Sequence, residues 1–140
     1  MVAKTKKITV GHVGDTGDDF HFTTAADHTQ QNLDLGAVIP AHARVLDVTI
    51  ICSEAMTAGP ADITFCAGNA SAGEQFFAAA SCDDLNETAA SAAGGASFVA
   101  ASNAAQNLWL GGDITDTTWA GQETGHWIVL LSYLDLQSAE

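Results

Sequence analysis

The sequence predicts an all-β chain, an antiparallel β-sandwich of jelly-roll-like type with long small-residue loops and a flexible basic N-terminal arm. Three observations lead there. From Leu46 to Cys52 the even positions are Leu46, Val48, Ile50 and Cys52, while Asp47, Thr49 and Ser53 occupy odd ones, a period-two pattern with one apolar face. Gly, Pro, Asn and Asp clusters recur roughly every eight to fifteen residues, the punctuation of short strands. Helical periodicity is almost absent. The apolar fraction is 47 %, but much of it is alanine, so large core residues are scarce and a thin two-layer core fits the supply.

Taken in order, residues 1–7 read as a mobile basic arm, and 8–140 as a single β-sandwich domain. The 140 residues suffice for one core without a disulfide or metal staple. Ile8 and Val10 open a strand, and the glycine and aspartate cluster from Gly11 to Asp19 reads as a loop. Phe20 and Phe22 flank His21 in a short alternating run. Leu33 and Leu35 alternate with polar residues in a strand ending near Pro40.

Arg44–Glu54 is the strongest strand, interrupted in its alternation only by Ile51, which marks a spot for a neighbour to cover. A turn at Ala58-Gly59-Pro60 leads to Asp62–Ala67, and the two runs read as an antiparallel hairpin. Glu74–Ser81 suits a strand or a short helix. Ala78–Ala105 reads as small-residue loops and weak strands, because it offers a helix nothing to bury. Asn107–Ile114 is a strand around Trp109. Finally His126–Leu136 contains the apolar run Trp127–Leu131, a central strand expected to be covered on both faces and to pair with, or lie across from, Arg44–Glu54.

Charge excludes several function classes. Seventeen acidic residues face four basic ones, a formal net charge of −13, and from Ile8 onward Arg44 is the only Lys or Arg. Such a body repels phosphate backbones and anionic membranes, which argues against nucleic-acid and membrane partners. It suits an exposed protein in a salty medium. The exception is the cluster Lys4, Lys6 and Lys7, a candidate contact for an acidic neighbour. Cys52, Cys66 and Cys82 show no zinc or CxxC spacing and read as free thiols acting as small hydrophobes. The first ten residues lack an apolar signal core, and no segment approaches membrane-spanning length, so a soluble chain assembled in the cytosol is expected.

Motifs for chemistry are sparse. Asp15-Thr16-Gly17 matches the triad of dimeric acid proteases, and Leu108-Trp109-Leu110-Gly111 matches its supporting element. However, Asp18 and Asp19 follow where a small residue is needed, so an acidic turn is the better reading. The same aspartates, Asp83-Asp84, or Asp113 with Asp116 could meet a hard cation, but no EF-hand spacing is present. The five histidines form neither HxH nor HExxH. No cofactor and no metal are expected. Trp109 and Trp127 read as core, whereas Trp119 in the polar run TDTTWAGQ reads as an interface anchor.

Val38-Ile39-Pro40-Ala41, then Arg44-Val45-Leu46-Asp47-Val48-Thr49-Ile50, and the closing strand Trp127–Tyr133 together resemble small virion proteins of tailed bacteriophages. His42 stands where glycine is common in that strand entry. The resemblance implies a β-sandwich head decoration (cement) protein. It further implies a homotrimer on the outer capsid surface of the virion, bound to the major capsid protein and to neighbouring decoration subunits. No catalytic residues carry over. The interaction candidates are therefore Lys4, Lys6, Lys7, Ile51 and Trp119. A tail-fibre or receptor-binding module is the alternative, and an acid protease a remote third.

Overall fold

The structure is a computed structural model. It describes residues 2–12, 17–23, 30–55, 62–71, 74, 76–82, 88–90, 103–115, 119 and 124–136. Among them lie nine strands and no α-helix: β1 (Val2–Gly11), β2 (Phe20–His21), β3 (Gln31–Asp34), β4 (Ala43–Glu54), β5 (Asp62–Gly68), β6 (Phe77–Ser81), β7 (Thr88–Ala90), β8 (Trp109–Thr115) and β9 (His126–Asp135). They form two sheets, a five-stranded one in the order β2-β1-β9-β4-β7 and a four-stranded one in the order β3-β8-β5-β6. All pairings are antiparallel except β1 with β2. The chain crosses repeatedly between the sheets, so sequence neighbours seldom pair, which is the jelly-roll form of the all-β sandwich.

The centre of the first sheet is the β4–β9 ladder, running from Ala43↔Asp135 to Glu54↔His126. β4 carries Val45, Val48, Thr49, Ile50 and Ile51, and β9 carries Trp127, Ile128, Val129 and Tyr133, the β-branched and aromatic types that a pleated, half-buried surface favours. Val48, Ile50 and Cys52 of β4 and Trp127, Val129 and Leu131 of β9 point into the core. Ile63, Phe65 and Ala67 of β5 and Leu110 and Ile114 of β8 belong to the same buried cluster. Phe22 stacks on Trp119 at 4.5 Å and meets Trp127 edge-on at 5.7 Å, and Phe65 meets Trp127 at 5.4 Å. Gly112 makes this possible, because a Cβ there would come within 2.9 Å of Phe22 and 3.3 Å of Trp119. The Trp127 indole N–H is satisfied by the carbonyl of Cys82 at 2.8 Å. All three cysteines are free and buried.

Four expectations are corrected. Residues 2–7 are no arm: they are the first part of β1, laddered along β9 from Val2↔Asp135 to Gly11↔His126. Their exposed Lys and Thr side chains disguise a strand whose backbone is paired on one side. Secondly, β4 and β5 do not form a hairpin. β9 and β7 occupy the edges of β4, and β5 lies in the other sheet, so their apolar faces meet across the core.

Leu46 does not join the core either. A bulge between Val45 and Asp47 advances the register by one residue, which buries Val45 and leaves Leu46 46 % exposed. Finally, β9 alternates buried with half-buried residues. Among the described residues, its outer face has only partial cover.

The strand entry keeps its turn. His42 adopts φ +60°, the left-handed conformation that glycine reaches without strain, and its carbonyl accepts from Leu136 N–H. The run towards Pro40 is shorter than expected as a strand. Gly36 turns at φ +83°, its N–H held by the Asp34 carboxylate at 2.9 Å, and Ile39 then bridges to Gln106.

Candidate functional site

The outer face of the first sheet follows from register. Ile8 and Val10 of β1, like the core residues of β4 and β9, are buried, so the alternate positions face outward. They align in rows across β1, β9 and β4: Thr9, Ile128 and Ile51; Lys7, Leu130 and Thr49; Thr5, Ser132 and Asp47; Ala3, Leu134 and Arg44. Ile51, Ile128, Leu130 and Leu134 are all half-buried, and the bulge adds exposed Leu46 beside them. The charged members of the rows are Lys7, Arg44 and Asp47, and Asp47 accepts a hydrogen bond from the Thr49 hydroxyl at 2.7 Å. An apolar stripe framed by two cations and one anion thus sits on a chain of net charge −13. Contiguous apolar patches, where large enough, are common places for contacts.

The structure unites some predicted contact residues and separates others. Ile51 and Lys7 share this outer face, on strands flanking β9. Lys4 and Lys6 lie on the opposite face of β1, where both remain exposed, and Lys4 pairs with Asp135 at 3.2 Å. Trp119 is corrected outright. It is 1 % exposed and stacked on Phe22, because the Cβ-less position at Gly112 leaves room for its indole. Trp109, expected in the core, is instead half-buried, at an outward position of β8 opposite Gly68.

A second constellation escaped the sequence. The Ser53 hydroxyl meets Nδ1 of His126, whose Nε2 lies 2.6 Å from the Asp18 carboxylate. The ring donates from Nε2 to the carboxylate, and the Ser53 hydroxyl also lies 3.1 Å from the His126 carbonyl, to which it can donate. These are the residue types of a hydrolytic triad. The surroundings oppose that chemistry: the Gly125 N–H, a nearby backbone donor, is directed at the Glu54 carboxylate at 3.4 Å, and a negative group there disfavours an oxyanion. The cluster ties the 17–19 loop to the ends of β4 and β9, and the Thr124 hydroxyl, donating to the Ala55 carbonyl at 2.8 Å, joins those two ends to each other. Sequence separations of 73 and 108 residues kept it out of sight.

On the outer face of the second sheet, a shallow cavity of about 170 Å³ is lined by Gln30, Thr64, Phe65, Cys66, Glu74, Gly111 and Asp113. Burial, and then the Glu74 carboxylate, push the Cys66 thiol above its ordinary range. The thiol therefore stays protonated and a poor nucleophile at neutral pH. Among the described residues no group of three His, Cys, Asp or Glu side chains is placed to hold a metal ion, and no helix is long and apolar enough to cross a membrane. Asp15 and Thr16 of the protease-like triad, Asp83-Asp84 and Asp116 lie outside the described residues.

The fold is a jelly-roll sandwich with half-buried apolar residues on the outer face of its first sheet. No family model and no curated protein matches the sequence. Solved structures do. A chain of the cyanophage Pam1 capsid asymmetric unit superposes with a TM-score of 0.58 at 17 % identity, over 94 % of this chain and 83 % of that one. A chain of the capsid of Ralstonia phage GP4 gives 0.57 at 18 % identity, over 96 % of this chain and 84 % of that one. The protein is similar to these chains in fold.

Proposed function

We propose that this chain is a non-enzymatic structural protein of a bacteriophage virion, a head decoration (cement) protein that binds the major capsid protein and stabilises the head. The observation that carries the reading is the shared fold over 94 % and 96 % of the chain with chains of two phage capsids. The sequence resemblance in the Val38–Ile50 entry points the same way, and His42, which stands where glycine is common, has φ +60°. Docking is through the outer face of the first sheet. Ile51, Ile128 and Leu130 supply apolar area, and Lys7 and Arg44 steer it towards an acidic capsid surface. The subunit acts as a homotrimer on the outer capsid surface, with neighbouring decoration subunits beside it, and burial across subunit junctions opposes internal genome pressure.

The test uses heads stripped of this protein or produced without it. Adding the purified chain should restore binding in hundreds of copies per particle and raise the temperature of head rupture. Ile51→Asp should abolish binding while the isolated chain stays folded. Heads that ignore the chain, or bind it without gaining stability, overturn the reading. A few copies at the tail would instead favour the fibre or receptor-binding role.

A further inference from the structure

We infer that the open edge of β1, Ala3–Lys7, receives an extended acidic segment of the protein partner as an added strand. The partner being a capsid protein rests on the reading above, whereas the edge chemistry does not.

Backbone direction identifies the free groups. Thr9 N–H points away from β9, since it donates to the Asp19 carboxylate at 3.0 Å. Gly11 C=O points the same way, accepting from Phe22 N–H at 3.2 Å. Direction alternates along a strand, so the N–H and C=O groups of Ala3, Thr5 and Lys7 also face away from β9. Among the described residues, β2 covers this edge only at Val10 and Gly11, and Asp19 covers it at Thr9. Ala3, Lys4, Thr5, Lys6 and Lys7 are all exposed, so neither face of this strand end is shielded.

Long open edges are normally blunted by proline, bulges or charge. Here the β1–β9 register runs from Val2 to Gly11 without a shift and the strand contains no proline. Charge alone guards the edge, and it is selective. Three of the chain's four cations sit on it, Lys7 on one face and Lys4 and Lys6 on the other. A basic strand is repelled, and an acidic one meets a cation on each of its faces. Among the described residues Lys6 and Lys7 have no carboxylate partner, while Lys4 is engaged by Asp135. Asp19 already shows a carboxylate seated on an N–H of this edge. The same edge of a second copy is a poor occupant, because it carries the same three lysines, Lys4, Lys6 and Lys7.

The probe is a short synthetic peptide alternating valine and glutamate, added to the full ¹⁵N-labelled chain at physiological salt. A Debye length of about 8 Å there screens distant acids but not contact pairs. The amides of Ala3, Thr5 and Lys7 should shift and exchange more slowly, and a valine–lysine peptide should leave them unchanged. Thr5→Pro removes an outward N–H that the β9 ladder does not use, so it should abolish the shifts, whereas Thr5→Ala should keep them. K6E/K7E, which leaves the backbone intact, should weaken peptide binding by about tenfold or more. No shift at these amides, or equal response to both peptides, overturns the inference. On stripped heads the two claims separate. Binding unaffected by Thr5→Pro overturns strand addition and leaves the decoration role standing, whereas wild-type chain that ignores heads yet takes up the peptide overturns only the decoration role.

Discussion

At the scale of single residues, the strand entry concentrates most strain in His42. A residue with a Cβ in the left-handed region costs roughly 1–2 kcal/mol against the right-handed alternatives, and His42 has φ +60°. Glycine removes that cost but loses more entropy on folding. Thus His42→Gly should be neutral to stabilising by up to about 1 kcal/mol, and His42→Val, β-branched in the same conformation, should destabilise by more than that. Urea midpoints of the two variants decide it: a glycine variant clearly less stable than the parent would mean that the imidazole makes a contact outweighing the backbone strain. The tryptophans teach a related lesson. Trp119 sits in a polar sequence and Trp109 between leucines, yet their burial is the reverse of what those neighbours suggest. The clue lay in Gly111 and Gly112: adjacent glycines within a strand leave space on both faces, and Trp119 with Phe22 fills it on the inner one.

At the scale of elements, β4 and β9 were legible and β1 was not, for one physical reason. Alternation reports burial of one face, and β4 and β9 bury theirs along most of their length. The first part of β1 is exposed on both faces, so its hydrogen bonds leave no trace in hydropathy. The jelly-roll crossings were equally hidden, since adjacent strands in sequence look like hairpins until both edges of β4 are seen to be taken. The bulge after Val45 shows how one residue of register reverses a core assignment. It makes a sharp prediction. Leu46→Ala should change stability by no more than about 0.5 kcal/mol, as exposed substitutions do, whereas Val45→Ala should cost about 2 kcal/mol through a core cavity. Comparable losses at both positions, measured by denaturant unfolding, would mean that the bulge is absent. The candidate site was visible only in part: Ile51 stood out by breaking alternation, but its partners Ile128 and Leu130 emerge only once β9 is laid beside it.

For the whole molecule, charge sets both stability and manner of association. Seventeen acids against four bases repel one another within the compact state, and among the described residues the Lys–carboxylate ion pair is Lys4–Asp135, worth at most about 1 kcal/mol at the surface. Added salt should therefore stabilise the isolated chain. Raising NaCl from about 0.01 M to 1 M shortens the Debye length from about 30 Å to about 3 Å, which removes most of the self-repulsion. A gain of 1 kcal/mol corresponds to roughly 3–6 °C in Tm for a chain of this size. Sodium chloride is the appropriate salt, because sulfate would strengthen apolar burial by exclusion and confuse the cause. Tm should climb steeply at low salt and level off once screening is complete; a flat or falling profile would show that the acids are already neutralised by bound cations or locally paired. The same repulsion acts between subunits. It leaves the weakly charged face of Ile51, Ile128 and Leu130 and the lysine-bearing edge of β1 as the surfaces where close approach costs least; an acidic segment held by Lys6 and Lys7 should therefore bind more weakly as salt rises, while the folded chain itself grows more stable.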